Sequence, residues 1–135
     1  MNRRRFLAAH AFLATAAMAP PAFGQGSGGM FKAMYLVKRK AGMSFADFRR
    51  YSTETHAPLA RALPGLRGYR LAFYPPIDGV DAPFDSSATL YFDDHAAHDA
   101  ALASPQGQRA LADLPNFHDT DGMVALFGEE VVSDV

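Results

Sequence analysis

The sequence predicts an α+β fold: a ferredoxin-like βαββαβ chain with a four-stranded antiparallel sheet and helices on one face. Three observations carry this expectation. Strand-type and helix-type patterns alternate in the order β-α-β-β-α-β from residue 31 to 133, which is the split βαβ plan. The predicted strands carry apolar residues on both faces, so a single helical layer leaves one face uncovered. The chain has 135 residues and no cysteine, so one small domain must draw its stability from core and assembly rather than from disulfides.

The first strand runs from Phe31 to Arg39. Phe31, Ala33, Tyr35 and Val37 share one face, and Met34 and Leu36 the other. Ala41-Gly42 turns the chain, and Ser44 with Asp47 three residues on forms a variant capping box. On a wheel of about 100° per residue with Phe45 at zero, Phe48, Tyr51, Thr55, His56 and Leu59 face inward. Pro58 lacks an N–H, so it kinks or breaks this helix near Ala57, and Pro64-Gly65 ends it. Leu66–Tyr74 reads as the second strand, followed by a polar loop, and Ser87–Phe92 as the third. Asp93-Asp94 caps a helix to about Ala103. Ser104-Pro105 starts a short helix to about Leu111. Residues 113–121 read as a loop before a last strand from Met123 to Val132.

The N-terminus follows different rules. Residues 1–24 hold Arg3, Arg4 and Arg5 and no acid, followed by a mildly apolar run and small residues. That is a secretory signal pattern, too short for a membrane span. Arg3-Arg4-x-Phe6-Leu7 resembles the twin-arginine core, with cleavage after Ala22 or Gly24. The expectation is a periplasmic protein with no stable membrane insertion once the signal is removed. Residues 25–30 form a flexible linker and 31–133 the domain. The net charge of −1 becomes mildly acidic without the signal, ten Lys+Arg against fourteen Asp+Glu. Nucleic-acid binding is not expected of such a chain.

An apolar second sheet face on so small a domain calls for cover, and a two-fold homodimer closing sheet on sheet is the economical answer. The other arrangement is a monomer with a ligand groove there. Nucleotide-binding, zinc-protease and serine-hydrolase motifs are absent from the sequence. No cofactor is predicted, although haem and flavin stay open because neither needs a short linear motif.

His56, at an inward helix position, suits acid/base work or ligation, or else is a hydrogen-bonded core histidine. His118 sits in a loop rich in Asn and Asp, either at a pocket mouth or in a solvated turn. His95 and His98 have i, i+3 spacing with acids around them, a weak metal pattern better read as a solvated helix start. No metal is expected. Tyr35, Tyr51 and Tyr69 are candidates to orient an aromatic ligand. Tyr35 and Tyr69 are favoured as mid-strand residues expected in register on adjacent strands.

Three segments resemble the EthD family. Phe48-Arg49-Arg50-Tyr51-Ser52-Thr53-Glu54-Thr55-His56-Ala57-Pro58-Leu59 resembles its aromatic-then-His-x-Pro-Leu hallmark. Ala112-Asp113-Leu114-Pro115-Asn116-Phe117-His118-Asp119 is similar to the segment before the last strand in small bacterial members, and Ala88–Asp93 to their third strand. The resemblance implies a dimeric α+β barrel with a cavity between sheet and helices and with His56 at that cavity. It implies a pocket or loop-stabilising role for Asn116, Phe117 and Asp119. This chain departs from relatives in its export signal and in His118, where small members commonly show Thr. The resulting expectation is an exported enzyme of cofactor-independent proton transfer or oxidoreductase chemistry. Its substrate would be aromatic, lactone-like or polyketide-like, with His56 as acid/base. The alternatives are a non-catalytic periplasmic protein binding a small apolar ligand, and a haem or flavin protein of the same barrel type.

Overall fold

The computed structural model describes residues 29–131. The expected signal segment, most of the linker and the end of the chain from 132 lie outside the described residues. The elements are β1 (Met30–Val37), α1 (Phe45–Tyr51), a π turn (Ser52–His56) and α2 (Ala57–Arg61). After these come β2 (Gly68–Phe73), β3 (Ser86–Phe92), α3 (His95–Ala103), α4 (Pro105–Asp113), a 3₁₀ turn (Leu114–Asn116) and β4 (Val124–Glu130).

The sheet order is β2-β3-β1-β4, antiparallel throughout, the ferredoxin-like arrangement. This order corrects one expectation. Tyr35 pairs with Ala88 and Tyr69 with Leu90, so β3 lies between the two tyrosines. They are not on adjacent strands, because the helical crossover from β1 to β2 leaves room for the later β3 in the middle.

Alternation along β1 sets the layers. Phe31, Ala33 and Val37 face the helices and are 3% or less exposed. They join Leu63, Leu90, Phe92 and Ala101 at one end of the core, and Phe48 and Phe117 at the other. On the opposite face Met34 pairs with Leu126 and Leu36 with Val124. Leu126 is 52% exposed and Val124 39%, so this end of the β1–β4 half is apolar and open, while Lys32 and Glu130 form an ion pair at its other end. The other half is not apolar, contrary to the expectation for all strands. It carries Ser87, Thr89, Tyr91 and Arg70, with the Arg70 guanidinium over the Tyr91 ring.

Ser44 caps α1, its Oγ accepting from the Asp47 N–H at 3.1 Å. The helix then does not break at Pro58. It widens, with the Ala57 N–H reaching back five residues to the Ser52 carbonyl. A π turn adds one residue to the helical circuit and gives the proline ring space against the preceding turn. The inward face is rotated as a result. Thr55, inward on a regular wheel, is exposed, while Ala57 is 0% and Ala60 4% exposed. His56 remains inward.

Asp94 caps α3 and Ser104 caps α4, each side-chain oxygen accepting from a first-turn N–H. The expected loop 113–121 is partly helical. Pro115 suits the first turn of the 3₁₀ element, whose Leu114 carbonyl accepts from Phe117 at 3.1 Å and His118 at 2.8 Å. Backbone bonds from Lys40 to Phe117 and from Asp119 to Lys38 then pin this segment beside the end of β1. No helix among the described residues is long and apolar enough to cross a membrane.

Candidate functional site

The π turn and the end of α4 converge on one carboxylate. His56 Nδ1 lies 2.9 Å from Asp113 Oδ2, with both side chains almost buried at 13% and 11% exposure. The Tyr51 hydroxyl donates to Asp113 Oδ1 at 2.5 Å and Asn116 Nδ2 donates to the same oxygen at 3.0 Å. A carboxylate only accepts, so Nδ1 of a neutral His56 carries the proton and Nε2 keeps its lone pair. Burial alone would raise the Asp113 carboxyl, but Tyr51, Asn116 and His56 together outweigh it and hold it below the usual range. The hydrogen bond to Asp113, aided by burial, pushes the Tyr51 hydroxyl up. Phe117, 1% exposed, packs on the His56 ring at 4.7 Å between centroids.

His56 borders a cavity of ≈ 280 Å³ between the helices and the sheet. Its wall is mostly aliphatic, with Leu63, Leu71, Leu90 and Ala110 among the lining residues. Polar groups reach it from Tyr35, Tyr69, His56 and His118. Burial pushes both the Tyr35 and Tyr69 hydroxyls up to about 12, so both stay protonated donors at neutral pH. An apolar cavity of about 150 Å³ admits benzene, so this one suits a substituted ring.

The structure thus brings Tyr35, Tyr69, His56, Phe117 and His118 to one cavity. Tyr51 and Asn116 do not line it and instead hold Asp113. Asp113 is the group that the sequence reading of candidate residues missed. It lay within a quoted segment, but its meeting with a histidine 57 positions earlier has no local signature. The Asp119 carboxylate accepts from the Gly122 N–H at 3.3 Å, closing a turn.

His95, His98 and Asp99 bring three ligating atoms within 4.8 Å of one another. His98 has both ring nitrogens engaged, with Tyr35 Oη at 2.7 Å and Asp99 at 2.9 Å. A cation there would have to displace one of them.

His118 lines the cavity and also an open groove of ≈ 810 Å³ bordered by Lys38, Arg39, Tyr74 and Asp85. Its Nδ1 is buried without a hydrogen-bond partner. Burial, with some repulsion from His56, pushes its pKa down from 6.5 to about 4. Between those values the unfolded chain binds a proton that the folded chain refuses. Stability therefore rises with pH across that window, and up to about 3 kcal/mol is lost on descending it. His118→Gln should lose less stability than the wild type between pH 6.5 and 4 in denaturant titrations. Parallel losses in both proteins would contradict a buried neutral His118.

A family model for the EthD domain matches residues 40–121. A Rhodococcus erythropolis protein, described as an uncharacterized 11.0 kDa protein in the thcB-thcC intergenic region, is 33% identical over 85 residues, 63% of this chain and 82% of that one. The crystal structure of an ethyl tert-butyl ether D (EthD) family protein from Bacillus halodurans superposes with TM-score 0.64 at 26% identity, covering 75% of this chain and 98% of its own. A dimeric ferredoxin-like protein of unknown function from Thermobifida fusca shares the fold, with TM-score 0.59 at 16% identity over 82% of this chain and 97% of that one. The chain belongs to the EthD domain family.

Proposed function

We propose that this protein is a small-molecule enzyme that moves a proton next to a carbonyl or enol of a compact aromatic or lactone-like substrate. The observation that carries the reading is His56, fixed by Asp113 at 2.9 Å so that its free nitrogen serves an apolar cavity. In that role Nε2 takes the proton from carbon, and the Asp113 carboxylate stabilises the imidazolium that forms. The aliphatic wall keeps water from competing. Tyr35 and Tyr69 supply donors for the substrate oxygen, and neutral His118 avoids repelling the imidazolium.

The test uses 2-indanone, an enolisable ketone of suitable size, and follows hydrogen–deuterium exchange at its α-carbon by NMR. The wild type should accelerate exchange, and His56→Gln should lose at least about 10²-fold of that acceleration. Equal exchange in both would refute the base. Binding of the ketone without acceleration would favour a non-catalytic carrier, the reading that the apolar lining also supports.

We further propose a homodimer, with the open sheet face as its interface; the Thermobifida fusca neighbour is described as dimeric. Met34, Leu36, Val124 and Leu126 form the contact. Leu126→Lys should shift the sedimentation of the protein to that of a monomer, and an unchanged assembly would place the interface elsewhere. Export by the twin-arginine route rests on Arg3-Arg4-x-Phe6-Leu7. Replacing Arg3 and Arg4 by Lys should leave the protein in the cytoplasm on cell fractionation, and continued export would rule that route out.

A further inference from the structure

Across the same cavity Tyr35, already assigned as a donor to the substrate oxygen, heads a second chain of acid/base groups whose other members the His56 reading does not use. Tyr35, on β1, lines the cavity and places its hydroxyl 2.7 Å from His98 Nε2. His98 is 2% exposed and sits among the rings of Phe31, Phe92 and Phe127 at 5.2–5.5 Å. Its Nδ1 lies 2.9 Å from Asp99, whose side chain is 65% exposed. His95, on the same helix, approaches that carboxylate at 3.4 Å. The line runs from cavity to solvent: phenol, imidazole, carboxylate.

The hydrogen-bond roles follow from the carboxylate. Asp99 accepts, so Nδ1 of His98 donates in either state. When His98 is neutral, the Tyr35 hydroxyl donates to Nε2. When His98 is protonated, Nε2–H donates to the Tyr35 oxygen, and the phenol proton is released to point into the cavity.

We propose that Tyr35, His98 and Asp99 form a second proton-transfer unit, in which Tyr35 is a catalytic donor to the substrate oxygen and His98 and Asp99 are positioning residues that resupply it from the surface. It rests on the reading of the cavity as an acid/base site, and it supplies the acid that His56 lacks. As His56 Nε2 takes the proton from carbon, the C–H electron pair becomes the enol double bond. The carbonyl π pair moves onto oxygen, which takes the Tyr35 proton. The Tyr35 oxygen takes the Nε2 proton of protonated His98, leaving a neutral imidazole still bonded to Asp99. One proton leaves carbon and one reaches oxygen. The charge gained at His56 equals the charge lost at His98, and no oxidant or reductant takes part. The substrate class narrows accordingly to molecules that expose an enolisable carbonyl towards Tyr35 while their acidic carbon faces His56.

The experiment uses 4-nitrophenol, whose phenolate imitates the enolate and reports its own ionisation by visible absorbance. The probe is bound to the full-length protein and titrated with alkali. At fixed pH, Tyr35→Phe should lower the bound phenolate-to-phenol ratio about tenfold. Asp99→Asn, an exposed change that spares the core, should lower it about threefold. Wild-type ratios in both Tyr35→Phe and Asp99→Asn, with the probe still bound, overturn the relay. A ratio that moves only in His56→Gln also overturns it, and leaves the His56 base standing on its 2-indanone result. Failure of the wild type to bind the probe overturns the relay together with the cavity reading.

Discussion

Asp113→Asn should leave the fold standing and remove the base. The substituted amide keeps an oxygen where Tyr51 and Asn116 donate, both to Oδ1. Its nitrogen then occupies the place of Oδ2, which faces His56 Nδ1 at 2.9 Å. An amide nitrogen donates, so Nδ1 must accept and the ring proton moves to Nε2. The lone pair that faced the ligand is gone, with little change in shape. The acceleration of 2-indanone exchange should fall by about 10²–10⁴-fold, and the ¹⁵N shifts of the His56 ring should report the Nε2–H tautomer. Retained activity with the Nδ1–H tautomer unchanged would show that Asp113 does not set the ring. Asp113→Ala goes further, since it strips a partner from three donors at once and should cost about 3–5 kcal/mol of stability. The charged carboxylate is itself favoured by these donors. Its contribution is full above the unfolded pKa and is lost as pH falls through the lowered folded value.

Much of the fold was legible because it is written in periods of two and near four. β1 alternates along its length, and Ser44, Asp94 and Ser104 each cap a helix by a local bond that a local pattern reveals. What was illegible depends on contacts between distant segments. Pro58 announces a disturbance, but whether a helix breaks or widens depends on what packs beneath it, and here the buried Ala57 and Ala60 favour widening. The strand neighbours of Tyr35 depend on topology, not on chain order. The site follows the same division. His56 was visible as a polar residue on an apolar arc. Asp113 was not, because its partners Tyr51 and His56 reach it from another helix. His98 looked like part of a solvated helix start, yet it is buried against Phe31, Phe92 and Phe127. The distinction lies in the sheet above it and not in the surrounding Asp-Asp-His-Ala-Ala-His-Asp.

Gly107→Ala is expected to damage both stability and the site, although Gly107 touches neither His56 nor the cavity. Gly107 is buried in the first turn of α4, where its N–H donates to the capping Ser104 Oγ at 3.0 Å. A Cβ there would overlap the carbonyl oxygens of Ala101 and Leu102. Both are backbone atoms at the end of α3, so no side-chain rotation can relieve the overlap. Alanine would be the better residue by helix propensity, by about 1 kcal/mol. The clash must overcome that gain and force α4 away from α3, at an expected net cost of about 3–5 kcal/mol. That is a large share of the roughly 5–15 kcal/mol that holds a small domain together. The displacement is carried along α4 to its far end, which is Asp113. If the variant folds, the His56–Asp113 bond should loosen, and exchange of 2-indanone should fall in parallel with the loss in melting temperature. Gly107→Ser should fail in the same way, since the added atom at Cβ is the same. A Gly107→Ala protein with wild-type stability would mean that the two helices are set further apart than the contact between Gly107 and the Ala101–Leu102 backbone implies. The placement of Asp113 would then rest on the 3₁₀ turn and its bonds to the end of β1 alone.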